Sequence, residues 1–245
     1  MHKALPVLLL LTLVACAPAA QATATQAPAP TQAPTEAAPT EVPPTEAPTE
    51  APTEAPTEAA EQPVYSDDFS DTNSGWFVGV DEFGEARYQN GGYYVAPPTN
   101  PGSWSTTDSP NDESFGDMRV EADATKLAGP DVNEYGVYCR LSGDPITFYL
   151  GLIGNDGIYA IYERLSNEDW SLIDGGEAGS LALNAGSNHI RLDCIGSTIS
   201  LYVNGELVAE GTDDTLARGE AGVYTGTLND PGVEILFDNF AVYLP

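Results

Sequence analysis

Thr198-Ile199-Ser200-Leu201-Tyr202-Val203-Asn204-Gly205-Glu206-Leu207-Val208-Ala209 carries the clearest structural signal in the chain. Ile199, Leu201 and Val203 alternate with Ser200 and Tyr202, which is the period of a strand with one buried face. Asn204-Gly205 follows, and apolar residues resume at Leu207. An Asn-Gly pair between two such runs signals a two-residue hairpin, because both residues take positive φ at little cost. The stretch predicts two antiparallel strands, 198–203 and 206–209.

Working outward, the same period recurs. In 189–195, Ile190, Leu192 and Cys194 alternate with His189, Arg191 and Asp193. In 136–141, Val137, Cys139 and Leu141 alternate with Tyr138 and Arg140. Further strands are predicted at 64–69, 86–89, 93–96, 118–125, 146–153, 158–164, 170–174, 221–225 and 233–243. No helical period of normal length occurs. About a dozen short strands joined by tight turns argue for an all-β, two-sheet antiparallel sandwich.

The chain before this region has two other compositions. His2 and Lys3 precede an apolar run, 5–14, which has the length of a signal-peptide core and is too short to span a bilayer. The run ends in Leu13-Val14-Ala15-Cys16. This resembles the bacterial lipobox, which implies cleavage before Cys16, lipidation of that residue, and an extracytoplasmic, membrane-anchored protein. Two or more acyl chains anchor stably where one binds only marginally. From 17 to about 63 the chain is Ala, Pro, Thr, Gln and Glu, with Thr-Glu-Ala-Pro repeating between Thr45 and Glu58. Such a segment buries too little apolar surface to offset the entropy of ordering. It is expected to be a disordered stalk, extended by Pro and by repulsion among Glu, with a reach of roughly 100 Å. The expected organisation is therefore a signal peptide at 1–15, a lipidated Cys and stalk at 16–63, and a domain at 64–245.

Several stretches of the domain carry a family likeness. Asp67-Asp68-Phe69-Ser70 is followed by Gly75-Trp76, then Tyr135-Gly136-Val137-Tyr138-Cys139-Arg140, the 201–207 hairpin, Gly222-Val223-Tyr224, and Leu236-Phe237-Asp238-Asn239-Phe240-Ala241-Val242-Tyr243. Together they resemble the concanavalin A-like jelly roll, including laminin-G-like domains and the domain of unknown function associated with 3-keto-disaccharide hydrolases. The likeness implies a jelly-roll sandwich and leaves the activity open, because this fold hosts lectins, glycosidases and adhesion modules. It also implies a place for a structural Ca²⁺ where the first and last strands pair, with Asp238 and Asp67 or Asp68 as ligands. The other reading of these residues is strand-end capping and turns. Glycosidases of this fold carry Glu-x-Asp-x-x-Glu on one strand. Here Glu121-Ala122-Asp123 is followed by Lys126 in place of the last Glu, so no catalytic residue is assigned.

With Cys16 in the anchor, Cys139 and Cys194 remain, both on the apolar side of their strands. An even pair in an exported domain favours a disulfide; the alternative is two buried thiols packing as small hydrophobes. The chain has 37 Asp and Glu against 8 Lys and Arg. That balance argues against a nucleic-acid partner, which needs a basic face. It suits neutral sugars, cations or simple solubility.

Sugars stack on aromatic rings while polar groups read their hydroxyls. Tyr138, Arg140, Tyr149, Trp170 and Arg191 are the expected ligand-binding residues, with Trp104, Tyr159 and Tyr162 as further candidates. Tyr159 and Tyr162 are three apart and so face opposite sides of one strand. The expected function is a surface-anchored, non-catalytic module that binds glycans or another extracytoplasmic ligand. The alternatives are a glycoside hydrolase or lyase, and a module docking another envelope protein.

Overall fold

The computed structural model describes residues 61–111, 113–167 and 169–245. Cys16, the signal segment and the stalk to residue 60 lie outside the described residues. Alternating apolar and polar side chains give fifteen strands: β1 Tyr65–Asp67, β2 Gly79–Asp81, β3 Gly84–Gln89, β4 Gly92–Ala96, β5 Trp104–Asp108, β6 Met118–Ala128, β7 Asn133–Gly143, β8 Ile146–Ile153, β9 Tyr159–Arg164, β10 Trp170–Gly176, β11 Asn188–Ile195, β12 Thr198–Val203, β13 Glu206–Thr212, β14 Glu220–Thr227 and β15 Glu234–Tyr243. There is no helix among the described residues. Each predicted strand is present, and β2 and β5 are additional.

The strands form two antiparallel sheets. One has nine strands in the order β13-β12-β11-β6-β15-β4-β3-β2, with β1 also pairing β15. The other has six, in the order β10-β9-β8-β7-β14-β5. The Asn204-Gly205 turn between β12 and β13 takes φ of 53° and 86°, as a two-residue hairpin with right-handed strand twist requires.

The main core lies between the sheets. Val120, Ile190, Leu192 and Phe237 from the nine-stranded sheet meet Val137, Tyr149 and Ile161 from the other. At one end Trp76 packs against Phe69 and Phe240, with ring centroids 5.1 and 5.0 Å apart. Burying the indole leaves its N–H in need of an acceptor. Asp67 Oδ2 accepts it at 2.9 Å, and Asp67 Oδ1 accepts the Phe69 amide at 2.7 Å.

Cys139 of β7 and Cys194 of β11 form a disulfide across the core, joining the two sheets. The next residue, Arg140, departs from the expected alternation. Cys139 and Arg140 occupy a β-bulge, opposite a single residue on β14 and with a register shift against β8. Arg140 takes φ of 54°, and its side chain is 2% exposed. One extra residue in a strand turns the next side chain to the other face. The guanidinium therefore enters the interior, where it donates to the carbonyls of Gly116, Leu216, Cys194 and Gly196 at 2.9–3.0 Å and to Asp117 at 3.2 Å.

Candidate functional site: an aromatic concave face

A second apolar cluster lies on the outer face of the six-stranded sheet, away from the main core. Tyr138 of β7, Phe148, Leu150 and Leu152 of β8, Ala160 of β9 and Tyr224 of β14 are buried there, with Trp104 and Tyr162 packed against them. Trp104 is on the edge strand β5, and Trp170 is on the opposite edge strand β10. Their ring centroids are only 6.0 Å apart, at an interplanar angle of 87°. In a flat sheet, edges five strand spacings apart would be separated by about 24 Å. The sheet therefore curls toward this face, and the two edge tryptophans fold inward over the middle strands.

Glycines shape this surface. Gly222, Tyr224 and Gly226 share the outer side of β14, and Glu134, Gly136 and Tyr138 share that of β7. A Cβ on Gly226 would sit 2.7 Å from the Tyr224 hydroxyl, so the Tyr224 ring lies across the space that glycine leaves. Tyr224 thereby reaches Glu134 on the neighbouring strand, at 3.4 Å. Tyr138 crosses Gly222 in the same way and hydrogen-bonds Asp108. The tyrosine rings thus lie along the sheet, Tyr138 covered and Tyr224 at the cavity wall.

The result is a cavity of about 270 Å³. Trp104, Trp170, Tyr162 and Tyr224 wall it, Leu150 and Leu152 form its apolar floor, and Glu134 is its carboxylate. Burial raises the Glu134 pKa, while the hydrogen bond from Tyr224 acts the other way. Burial and the Glu134 charge push the Tyr224 phenol well above its ordinary value, so it stays a donor. The Arg164 guanidinium lies 5.2 Å from the Trp170 ring centroid and 5.7 Å from that of Trp104, in cation–π range of both. Flat apolar rings beside a carboxylate match the two faces of a sugar ring, its C–H surface and its hydroxyls.

The sequence-selected residues divide among three places. Trp170 lines the concave cavity, as do Trp104 and Tyr162, whereas Tyr138 lies on the same sheet face but is 0% exposed and lines neither that cavity nor the cleft beside it, which corrects its expected contact with a ligand. Arg191 lies on the outer face of the nine-stranded sheet, where its Nε donates to Asp193 at 2.7 Å and its guanidinium sits 4.5 Å over the Tyr202 ring. Arg140 and Tyr149 are interior, which corrects their expected exposure. The Tyr149 hydroxyl donates to Asp213 at 2.5 Å and accepts from the Leu216 amide at 3.0 Å, pinning the segment after β13. Tyr159 packs against the main core and Tyr162 against the outer cluster, on opposite sides of β9. Sequence reasoning missed Glu134, Tyr224 and Phe148. The available signal was Gly at two residues' distance from Tyr on one strand face, in Gly222-x-Tyr224-x-Gly226 and Gly136-x-Tyr138.

Glu121 and Asp123 share the outer face of β6, as their alternation requires. His189 of β11 bridges them, with Nδ1 2.8 Å from Asp123 and Nε2 3.5 Å from Glu121. Asn239, in a bulge of β15 at φ 50°, donates to the other Asp123 oxygen at 2.8 Å. Each of the three expected Ca²⁺ ligands accepts a hydrogen bond from its own turn or from the core. Both oxygens of Asp67 are bound to Trp76 and Phe69, Asp68 accepts from Ser70, and Asp238 accepts from the Asn239 amide. Among the described residues no group of three His, Cys, Asp or Glu is placed to hold a metal ion.

No family model matches the chain, and no curated protein sequence does. Several solved structures share its fold. The carbohydrate-binding module CBM66 from Bacillus subtilis is 18% identical at a TM-score of 0.55, over 69% of this chain and 96% of that one. A Bacillus subtilis protein of unknown function with a galectin-like fold is 12% identical at a TM-score of 0.58, over 75% and 96%. The fold is a galectin-like jelly roll. The carbohydrate recognition domain of Emp47p shares this jelly roll at 11% identity and a TM-score of 0.55, over 77% of this chain and 99% of that one.

Proposed function

We propose that this protein is a lipid-anchored jelly-roll module that binds glycans on its concave aromatic face. The observation that carries the reading is the pair Trp104 and Trp170, drawn from opposite edges of one sheet to enclose a cavity holding a carboxylate. Neighbours of the same fold include a carbohydrate-binding module and a carbohydrate recognition domain, which supports the reading. The placement of carboxylates favours binding over hydrolysis. Asp108 is in register with Tyr138 through Gly222, four residues along β7 from Glu134. That offsets their backbone positions by about 13 Å along the strands, whereas an inverting glycosidase holds its two carboxyl groups roughly 6.5–9.5 Å apart.

The anchoring half of the proposal rests on Leu13-Val14-Ala15-Cys16. The test of the binding half is a glycan array probed with the protein and with Trp170→Ala, each with and without Ca²⁺. Trp170 sits on an edge strand and is partly exposed, so its removal spares the main core. Specific binding by the wild type, lost in Trp170→Ala, is expected in both conditions. Binding that survives Trp170→Ala would move the site off this face. For the anchor, incorporation of labelled palmitate that disappears in Cys16→Ala is expected, and unlabelled wild-type protein would refute it.

A further inference from the structure

The concave cavity does not end at Trp104. The other side of that residue borders a larger, open cleft of about 780 Å³. One wall is the edge strand β5 and its continuation, residues 104–110 in unbroken sequence; the other is the β2–β3 hairpin, with Phe77, Asp81, Phe83 and Glu85. Trp104, Thr106 and Asp108 alternate on the concave side of β5, so the polar stripe starts at the cavity wall and runs into the cleft. Phe77, just before β2, and Phe83, in the β2–β3 turn, are 48% and 55% exposed, two bare aromatic rings beside one cleft. Among the described residues no Lys or Arg lines either the cavity or the cleft.

We infer that the ligand is an uncharged, linear oligosaccharide chain, with one unit enclosed beside Glu134 and the following units lying along β5 in the cleft. This deepens the concave-face reading and rests on it. Three features support it. Trp104 belongs to both spaces, so a chain leaving the cavity stays in contact with the same ring. The cleft has nearly three times the volume of the cavity, room for more units than the cavity takes. Its surface repeats the chemistry of the cavity, with apolar rings at Phe77 and Phe83 and hydroxyl-reading groups at Thr106, Asp81 and Glu85. The linings carry Glu134, Asp81, Glu85 and Asp108 and no basic side chain, while the nearby cations are engaged elsewhere, Arg164 against the Trp104 and Trp170 rings and Arg87 with Glu85, so the balance on the ligand's side disfavours an acidic sugar.

The test is calorimetric titration of the purified protein with laminari-, xylo- and manno-oligosaccharides of increasing length, from one unit to six. In the series that binds, affinity is expected to rise by about tenfold or more from one unit to four, as stacking contacts accumulate, and then to level off. Phe83→Ala is expected to bring the four-unit ligand close to the affinity of the single unit while leaving the single unit unchanged. Trp170→Ala is expected to weaken every length. Binding that is independent of length, and lost in Trp170→Ala, would overturn the chain proposal and leave the concave-face site standing. Binding that rises with length but is untouched by Phe83→Ala would also overturn it, by routing the chain elsewhere. Failure of every series at every length would overturn the concave-face reading and this proposal with it.

Discussion

Arg140 shows how much one residue can hold. Its buried guanidinium satisfies four backbone carbonyls and Asp117. Arg140→Met strips those acceptors of their donors and is expected to cost about 3–5 kcal/mol, measured by urea denaturation. A loss below about 1 kcal/mol would mean that the carbonyls find other partners. His189 is held above its ordinary pKa, first by its hydrogen bond with Glu121 and then by Asp123. Because the folded value exceeds the unfolded one, the contribution to stability is full below about pH 6.5 and is lost as pH rises through the folded value. An NMR titration of His189 should show the raised pKa, and Glu121→Gln should bring it down. Glu134 has the opposite consequence. Burial raises its pKa, so its charged form costs stability, and that cost grows as pH rises through the folded value. Glu134→Gln is expected to raise stability at neutral pH and to weaken sugar binding by about tenfold or more, since a hydrogen bond to a charged group is worth about 1.5–3 kcal/mol. At this scale alternation in the sequence placed Tyr138, Cys139, Cys194 and Arg191 on their observed sides. It misplaced Arg140 because a bulge turns that side chain inward, while Tyr149, chosen for its ring alone, is drawn inside by Asp213, a contact far away in the chain.

At the scale of elements, legibility followed the buried face. Strands with one apolar side, such as β11 and β12, announce themselves, whereas β5 does not. Its sequence Trp104-Ser105-Thr106-Thr107-Asp108 is polar on both sides after the first residue, because the buried, inward side is built from Ser105 and Thr107. Yet β5 is the strand that joins the cavity to the cleft. The three-residue β2 was equally silent, for want of length. The cystine is the other element-scale device. It links β7 to β11 over a separation of 55 residues. On the loop-entropy account, Cys139→Ala with Cys194→Ala should cost roughly 4 kcal/mol. The double variant is expected to remain folded with a lower denaturation midpoint; an unchanged midpoint would show that the bond constrains the unfolded chain very little.

The whole molecule is an acidic body, with a formal charge of −29. Self-repulsion of that size opposes compaction, and salt screens it. The Tm is therefore expected to climb between low salt and about 0.15 M NaCl, where the Debye length is ≈ 8 Å; a Tm that falls would mean that local ion pairs outweigh the net charge. The sandwich was legible at this scale because two dozen or so periodic positions agree on it, while the curvature of the six-stranded sheet was not, since curling depends on how neighbouring strands stack. One consequence follows from where the bridge between Cys139 and Cys194 sits. The chain enters through β1, which belongs to the nine-stranded sheet, whereas the proposed ligand rests on the other sheet. On the proposed anchoring and binding, tension between the N-terminus and a captured ligand would pass from one layer to the other. Among the described residues the backbone crosses between the layers at sheet ends, as from β6 to β7 and from β14 to β15, and this bond adds a covalent cross-link inside the sandwich, so a load that slides one layer past the other meets a rivet in the core as well as the loops at the rim.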